Sequence, residues 1–79
     1  MKILFFAQAR LAAGCSEFDL STPTPLKTVE LWQTLESTFP KLAPLRSSIR
    51  LARNCAYAAP DELFSEGDEV ALIPPVSGG

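Results

Sequence analysis

The chain has 79 residues, 47% of them hydrophobic, and a formal charge of -2 at pH 7. This length suffices for one domain with a modest core, which leaves no room for a second domain or a deep catalytic pocket. The acidic balance argues against nucleic acid as a partner, because binding phosphates needs a basic face. Histidine is missing, so the sequence lacks the commonest general base and metal ligand, and we expect no metal site.

Two further features of the sequence concern the cellular compartment of the protein. No apolar run is long enough to span a bilayer, and the first residues carry no signal-peptide pattern, so we expect a cytoplasmic protein with no membrane partner. Cys15 and Cys55 are too far apart for a CxxC redox pair. In a reducing compartment we expect both to be unpaired thiols.

The chain is predicted to begin with a strand over residues 2–9, because the run is short, apolar and contains two aromatic side chains. Alternation places Ile3 and Phe5 on one face of this strand. Leu4 and Phe6 lie on the other face, so both faces are apolar. Only one face of a strand in so small a domain can cover the core.

One helix is predicted, after a turn over residues 10–14 and a second strand over residues 16–20. The helix covers residues 28–39, and Thr28 is expected to cap it and Pro40 to end it. It is expected to pack through one apolar stripe, formed by Val29, Trp32, Leu35 and Phe39.

The second half of the chain is predicted to supply the remaining strands. After an irregular segment over residues 41–48, strands are expected over residues 49–53 and 56–58, with Asn54 in the turn between them. The last strand covers residues 69–73 and, like the first, is apolar on both faces. The acidic residues that precede and begin it are most simply a solvated face: Asp61, Glu62, Glu66, Asp68 and Glu69.

The resulting order is β-β-α-β-(β)-β, an α+β pattern whose economical arrangement is one helix packed across a small mixed sheet. If the first and last strands lie side by side, the uncovered face carries Leu4, Phe6 and Ile73, with Tyr57 nearby. A contiguous apolar patch on a surface is typical of an interaction site, so we expect a partner to bind there.

The C-terminal sequence is the most informative part of the chain: Pro74-Pro75-Val76-Ser77-Gly78-Gly79. Two glycines make a thin, permissive thread that can enter a narrow channel in another protein. We therefore divide the chain into a domain over residues 1–74 and a flexible tail over residues 75–79. The α-carboxylate of Gly79 is predicted to be the working group. It is ionised at neutral pH and is a poor electrophile, and the chain has no nucleotide-binding glycine motif with which to activate it.

Several segments of the sequence carry a family resemblance: Ile3-Leu4-Phe5-Phe6-Ala7 with Arg10, Thr28-Val29, Ala52-Arg53-Asn54, Gly67-Asp68-Glu69-Val70-Ala71, and the ending Pro74-Pro75-Val76-Ser77-Gly78-Gly79. Together they resemble the small subunit of molybdopterin synthase, the MoaD family, whose fold is the ubiquitin-like β-grasp. The ending is the most specific of these segments. Cys55 departs from the family, which more often has a polar residue or glycine after the turn asparagine.

The resemblance implies a sulfur carrier that is not catalytic alone and acts as a subunit of a heterotetrameric synthase. An E1-like adenylating enzyme (MoeB-like) would use ATP to activate Gly79, which then becomes a thiocarboxylate, and the chain itself would bind no cofactor. The charged carrier would dock on the large synthase subunit (MoaE-like) and donate sulfur to a pterin precursor. The residues that match the family's docking surface are Phe6, Tyr57 and Ile73, with Arg10 as the basic contact.

Three alternatives remain open at the level of the sequence. A sulfur carrier for thiamin synthesis or tRNA thiolation would use the same chemistry with another partner. A ubiquitin-like modifier would instead be joined to lysine side chains of other proteins. An enzyme acting by itself is disfavoured, because a serine or cysteine nucleophile would lack its usual histidine base.

Overall fold

The first and last strands of the chain lie side by side in the computed structural model, which describes residues 1–75. The strands are β1 (Lys2–Phe5), β2 (Glu17–Asp19), β3 (Leu26–Lys27), β4 (Arg50–Arg53), β5 (Ala56–Tyr57), β6 (Leu63–Phe64) and β7 (Glu69–Ile73). The helices are α1 (Ala7–Ala13) and α2 (Thr28–Thr38), and a 3₁₀ helix covers Pro40–Ser48. Within residues 1–75, neither α-helix nor the 3₁₀ helix has the length and hydropathy needed to cross a membrane.

The main sheet is mixed, with the order β2-β1-β7-β4-β5. β1 and β7 are parallel, and the other neighbouring strands are antiparallel. β3 and β6 form a separate two-stranded ribbon. α2 packs across one face of the main sheet, which we call the inner face, and the opposite face is the outer face. The predicted α+β arrangement of one main helix on a mixed sheet is confirmed.

The core lies between the inner face and α2. Its buried side chains include members of β1, β7 and α2: Ile3, Phe5, Val70, Leu72, Leu31, Trp32 and Leu35. Phe5 is only 2% exposed, and its ring meets that of Phe39 edge-on at a centroid distance of 5.2 Å. The predicted faces of the first strand are therefore confirmed for Ile3 and Phe5.

The predicted apolar stripe of α2 is wrong at its first position. Val29 is 51% exposed, whereas Leu31 is fully buried. The reason is that α2 follows β3 directly, so its first turn lies beside the β3–β6 ribbon rather than over the main sheet. The cap residue is Lys27, not Thr28, and the amide of Lys27 donates a hydrogen bond of 2.8 Å to Oε1 of Glu30.

The predicted first strand over residues 2–9 is too long, because β1 ends at Phe5 and α1 follows. Ala7 has a φ of +48°, which turns the chain out of the sheet. Alanine, the best helix former, supplies four of the seven residues of α1. Gly14 ends this helix in the left-handed conformation, and its amide donates to the carbonyl of Arg10 at 2.9 Å.

The predicted and observed elements also differ slightly in the segment between α2 and β5. Residues 41–48, predicted to be irregular, lie in the 3₁₀ helix, where Pro40 and Pro44 cannot donate to an α-helical ladder. The third predicted strand begins at Arg50 and the next one ends at Tyr57, which are differences of one residue each.

Asn54 and Cys55 form the two-residue turn between β4 and β5. Their φ angles are +50° and +72°, and positive φ at both positions is the type I′ pattern, which prefers glycine at the second position. The side chain of Asn54 forms hydrogen bonds to the end of the loop that precedes β7 and to the first residue of β7. Its Nδ2 donates to Oδ1 of Asp68 at 3.1 Å, and its Oδ1 accepts from the amide of Glu69 at 2.9 Å. The turn predicted at Asn54 is confirmed, and Cys55 occupies a strained position within it.

Replacement of Cys55 by glycine is expected to raise the free energy of unfolding by about 0.5–1 kcal/mol. A left-handed conformation costs a non-glycine residue about 1–2 kcal/mol, and the greater freedom of glycine in the unfolded chain offsets part of this gain. Denaturant unfolding of the two proteins measures the difference. Cys55→Ala, which keeps a Cβ atom, is the control and should leave stability unchanged; equal stabilisation by both variants would show that the backbone is not the source of the strain.

A cluster of ion pairs holds the loop before β7. Nε of Arg53 lies 2.7 Å from Oδ2 of Asp68, and Nη1 of Arg53 lies 3.0 Å from Oε2 of Glu62. The amide of Ser65 also donates to Oδ2 of Asp68, at 2.7 Å. Asp68 is buried, so the prediction that all these acidic residues form a solvated face is wrong at this position. The hydrogen bonds from Arg53 and then from Ser65 lower the pKa of Asp68 from 3.8 to about 2.

Acid is expected to destabilise the fold through Asp68. Its pKa is lower in the folded chain than in the unfolded chain, so its contribution is complete above pH 3.8 and is lost as the pH falls toward about 2. The contribution is at most about 2 kcal/mol at neutral pH. Unfolding measured from pH 7 to pH 2 should show this loss, and the profile of Asp68→Asn should be flatter. A wild-type profile retained in Asp68→Asn would assign the acid sensitivity to other carboxylates.

Candidate functional site

The outer face of the main sheet carries an open groove with a volume of about 390 Å³. It is lined by Leu4, Phe6, Ala52, Cys55, Tyr57, Glu69, Ala71 and Ile73. Among the described residues, Glu69 is the one charged member of this lining, and the surface is mostly apolar. The four side chains that the sequence places on the uncovered face, Leu4, Phe6, Tyr57 and Ile73, all lie along the groove.

The register of the strands builds the floor of the groove. Leu4 pairs with Ala71, Ala71 with Ala52, and Ala52 with Tyr57 across four neighbouring strands. Side chains at paired positions project from the same face of a sheet. Two alanines therefore lie between two large side chains, and their small size leaves a depression between Leu4 and Tyr57.

Two aromatic side chains of the groove are exposed. Phe6 is 48% exposed and Tyr57 is 58% exposed. Phe6 follows β1 directly with an extended backbone, and the turn at Ala7 then takes the chain away into α1. Ile73, which the sequence predicts to be substantially exposed, is only partly exposed, because β7 lies between β1 and β4.

Arg10 does not lie in the groove. It is an exposed residue of α1, where it lines a separate depression together with Leu11, Gly14, Cys15 and Ser16. Leu11 beside it is 79% exposed. The structure thus groups Phe6, Tyr57 and Ile73 and leaves the predicted basic contact on a different element.

The predicted tail leaves the sheet at the end of β7. Ile73 is the last residue of that strand and lines the groove, Pro74 is buried, and Pro75 is exposed. We call Pro74 and Pro75, where the tail begins, the root of the tail. This root therefore lies next to the groove. The other predicted tail residues, Val76, Ser77, Gly78 and the reactive Gly79, lie outside the described residues.

Some residues of the groove were missed by sequence reasoning. Ala52, Cys55 and Glu69 line it, but none of them is prominent in an apolar pattern. The signal for Ala52 is the strand pairing, because it becomes part of the floor only once β4 lies beside β7. Cys55 is brought to the groove by the turn of the β4–β5 hairpin.

The composition of the groove bears on what it can bind. Its surface is apolar, and in the part of the chain that the structure describes, no three His, Cys, Asp or Glu side chains could hold a metal ion together. An exposed apolar surface is typical of a site that binds a partner or a ligand, and this one lies beside the point where the tail begins.

The mixed sheet, the crossing helix and the apolar outer face together define a protein of the ubiquitin-like β-grasp class. The chain belongs to the ThiS family, whose model matches residues 3–79.

The proteins to which the chain is similar include sulfur carrier subunits and a small modifier protein. The chain is 35% identical over 82 residues to the human molybdopterin synthase sulfur carrier subunit, with 100% of this chain and 93% of that protein covered. It is 37% identical over 79 residues to the subunit of the same name from Arabidopsis thaliana, with coverages of 100% and 82%. In structure it is similar to SAMP1, a small archaeal modifier protein from Haloferax volcanii, with a TM-score of 0.83, 28% identity and coverages of 99% and 97%.

Proposed function

We propose that the chain is the sulfur-carrier subunit of a molybdopterin synthase, with Gly79 as the residue that bears the sulfur. The observation that carries this proposal is the apolar groove beside the root of a tail whose sequence ends in Gly-Gly. The human and plant relatives are named as sulfur carrier subunits of that synthase, which supports the choice of pathway.

The chemistry of the carrier follows from the properties of a carboxylate. An oxygen of the Gly79 carboxylate attacks the α-phosphate of ATP, and pyrophosphate leaves. Sulfur at the oxidation level of sulfide, as HS⁻, then attacks the carbonyl carbon of the acyl-adenylate, and AMP and a proton leave, which gives the thiocarboxylate. These steps require an E1-like adenylating enzyme, MoeB-like, because the chain has no nucleotide-binding glycine motif of its own.

The groove and the tail have separate roles in the transfer step. The groove binds the large subunit of the synthase, MoaE-like, through Phe6, Tyr57 and Ile73. The five residues of the tail over 75–79 extend at most about 17 Å, which is enough to place Gly79 in a site of the partner while the domain stays outside. The sulfur of the thiocarboxylate bonds to a carbon of a pterin precursor as an oxygen group leaves that carbon, and water then cleaves the thioester, which releases the new thiol and regenerates the carboxylate of Gly79. Arg10 on α1 is a second contact to this partner.

Intact-mass measurement tests the proposal most directly. The chain is incubated with the activating enzyme, ATP and a sulfur source, and we expect the mass difference of one oxygen-to-sulfur exchange, located on Gly79. A reaction without ATP is the control and should leave the mass unchanged. No exchange in the complete reaction, with an activating enzyme shown to work on another carrier, would contradict the proposal.

A ubiquitin-like modifier is the second candidate, because the chain is similar in structure to a small archaeal modifier protein. Its main product would be an isopeptide between Gly79 and lysine side chains of other proteins, which peptide mass spectrometry detects. A carrier for thiamin synthesis or tRNA thiolation would give the same thiocarboxylate. Transfer of the sulfur to the pterin precursor in the presence of the large subunit distinguishes the proposed carrier from these two.

A further inference from the structure

Arg50 lies at the edge of the groove, beside the root of the tail. Its guanidinium carbon is 3.9 Å from the centroid of the Tyr57 ring, which places the cation over that ring. In the sheet, Arg50 pairs with Ile73, the last residue of β7 before the tail. Tyr57 and Ile73 line the groove, so Arg50, which stacks on the first and pairs with the second, borders the groove without lining it.

Stacking leaves the hydrogen-bonding edge of Arg50 available. A guanidinium group stacks through its flat face, while its N–H donors point outward in its own plane, in a fork that matches a carboxylate. Within residues 1–75, Arg50 is exposed and has no ion pair, whereas Arg46 and Arg53 each pair with a carboxylate. Contact with the ring also restricts the side chain, which lowers the entropy cost of binding a partner group.

Charge is distributed unevenly along the outer face. Glu69 lines the groove four residues before Ile73 on β7, about 13 Å away along the strand. Lys2 pairs with Glu69 in the sheet, and its Nζ lies 3.8 Å from a carboxylate oxygen of Glu17. The end of the face nearest the tail thus carries an available cation, whereas the opposite end carries Glu69 and Glu17 with Lys2, a net negative charge.

We propose that Arg50, held on the ring of Tyr57, is a specificity-determining residue that binds a carboxylate on the large subunit of the synthase, beside the entrance through which the tail passes. This inference rests on the proposed function. The apolar floor of the groove offers contact area but little orientation, because apolar contacts are non-directional. Opposite charges at the two ends of the groove give the partner one preferred orientation, in which an acidic group lies over Arg50 and a basic group lies near Glu69.

Binding of the large subunit to a set of arginine variants tests the contact. Arg50→Gln is expected to raise the Kd measured by calorimetry about tenfold, and Arg50→Glu more, because the carboxylate of the partner then meets a like charge. Arg50→Lys keeps the charge but loses the planar fork, so its Kd should lie between those of the wild type and Arg50→Gln. Binding of Arg50→Gln should also depend less steeply on salt than binding of the wild type.

Arg46→Gln is the matched control. Arg46 also lies over an aromatic ring, at 5.8 Å from the centroid of Trp32, but it belongs to the helical side of the domain. Its substitution should change the Kd by less than about twofold. Denaturant unfolding of each variant shows that the domain is folded under the conditions of the binding measurement.

The possible results test the Arg50 contact and the proposed function separately. Weaker binding by Arg50→Gln, with binding of Arg46→Gln intact and the rate of ATP–pyrophosphate exchange by the activating enzyme unchanged, supports the proposal. Equal Kd values for Arg50→Gln, Arg46→Gln and the wild type would overturn it, and so would an equal loss in the activation step, because the contact would then not be specific to the large subunit. Failure of the wild-type chain to bind the large subunit would instead overturn the proposed function.

Discussion

Deletion of Gly79 is expected to abolish sulfur transfer while leaving the free energy of unfolding unchanged. The proposed chemistry takes place on the α-carboxylate of this residue, and a chain that ends at Gly78 presents its carboxylate one residue short of the reacting position. The described core side chains lie between Met1 and Leu72, so the deletion removes none of them. A reconstituted synthase assay measures transfer, and denaturant unfolding measures stability.

A companion variant tests the requirement for a thin tail. Gly78→Val keeps the length and the terminal carboxylate but adds a β-branched side chain, which brings bulk and restricts the backbone. We expect transfer to fall in this variant too, whereas Ser77→Ala, which removes a single hydroxyl, should retain most of the activity. Full transfer by the chain without Gly79 would refute the carrier hypothesis.

Phe5→Ala and Phe6→Ala are expected to have opposite effects, although the two residues are adjacent. Phe5 is 2% exposed and packs in the core, so its truncation should cost about 3–5 kcal/mol of stability. Phe6 is 48% exposed on the groove, so its truncation should leave unfolding nearly unchanged. An aromatic side chain at the centre of an interface is a frequent hot spot, and Phe6→Ala should weaken binding of the large subunit by about 2 kcal/mol or more.

The two phenylalanine variants serve as controls for each other. Denaturant unfolding and calorimetric binding are measured on both, and binding of Phe5→Ala is measured where the protein is still folded. A destabilised Phe6→Ala with normal binding would show that the face assigned to docking is structural. An unchanged stability of Phe5→Ala would contradict its place in the core.

The last strand is predicted correctly from the sequence, because its composition and its end agree. It is predicted over residues 69–73 and is found at those positions, where apolar side chains on both faces are followed by prolines that cannot continue a sheet. The opposite faces of Phe5 and Phe6 follow from the twofold alternation of a strand. The groove could be anticipated from these faces once the first and last strands were assumed to be neighbours.

Other features depend on tertiary contacts that a linear pattern does not contain. Ala7, Gln8 and Ala9 continue the twofold alternation of the first strand, so their periodicity does not separate them from β1, and the helix is set by the positive φ of Ala7 and by packing. Val29 fits the helical stripe but lies beside the ribbon, because the position of α2 along the sheet is fixed by β3 and β6. Asp68 belongs to an acidic segment, and its burial depends on Arg53, which lies fifteen residues away in the chain.

The parallel pairing of β1 with β7 also bears on how the protein matures. Ile3 pairs with Val70, so the central contact of the sheet joins two residues that are far apart in the sequence. Contacts of such high sequence separation slow the folding of small domains. The groove draws Leu4 from one of these strands and Ala71 from the other, so it does not exist until they have met. If the groove is the docking surface proposed above, a chain in which β1 and β7 have not yet paired lacks the surface that the large subunit would bind.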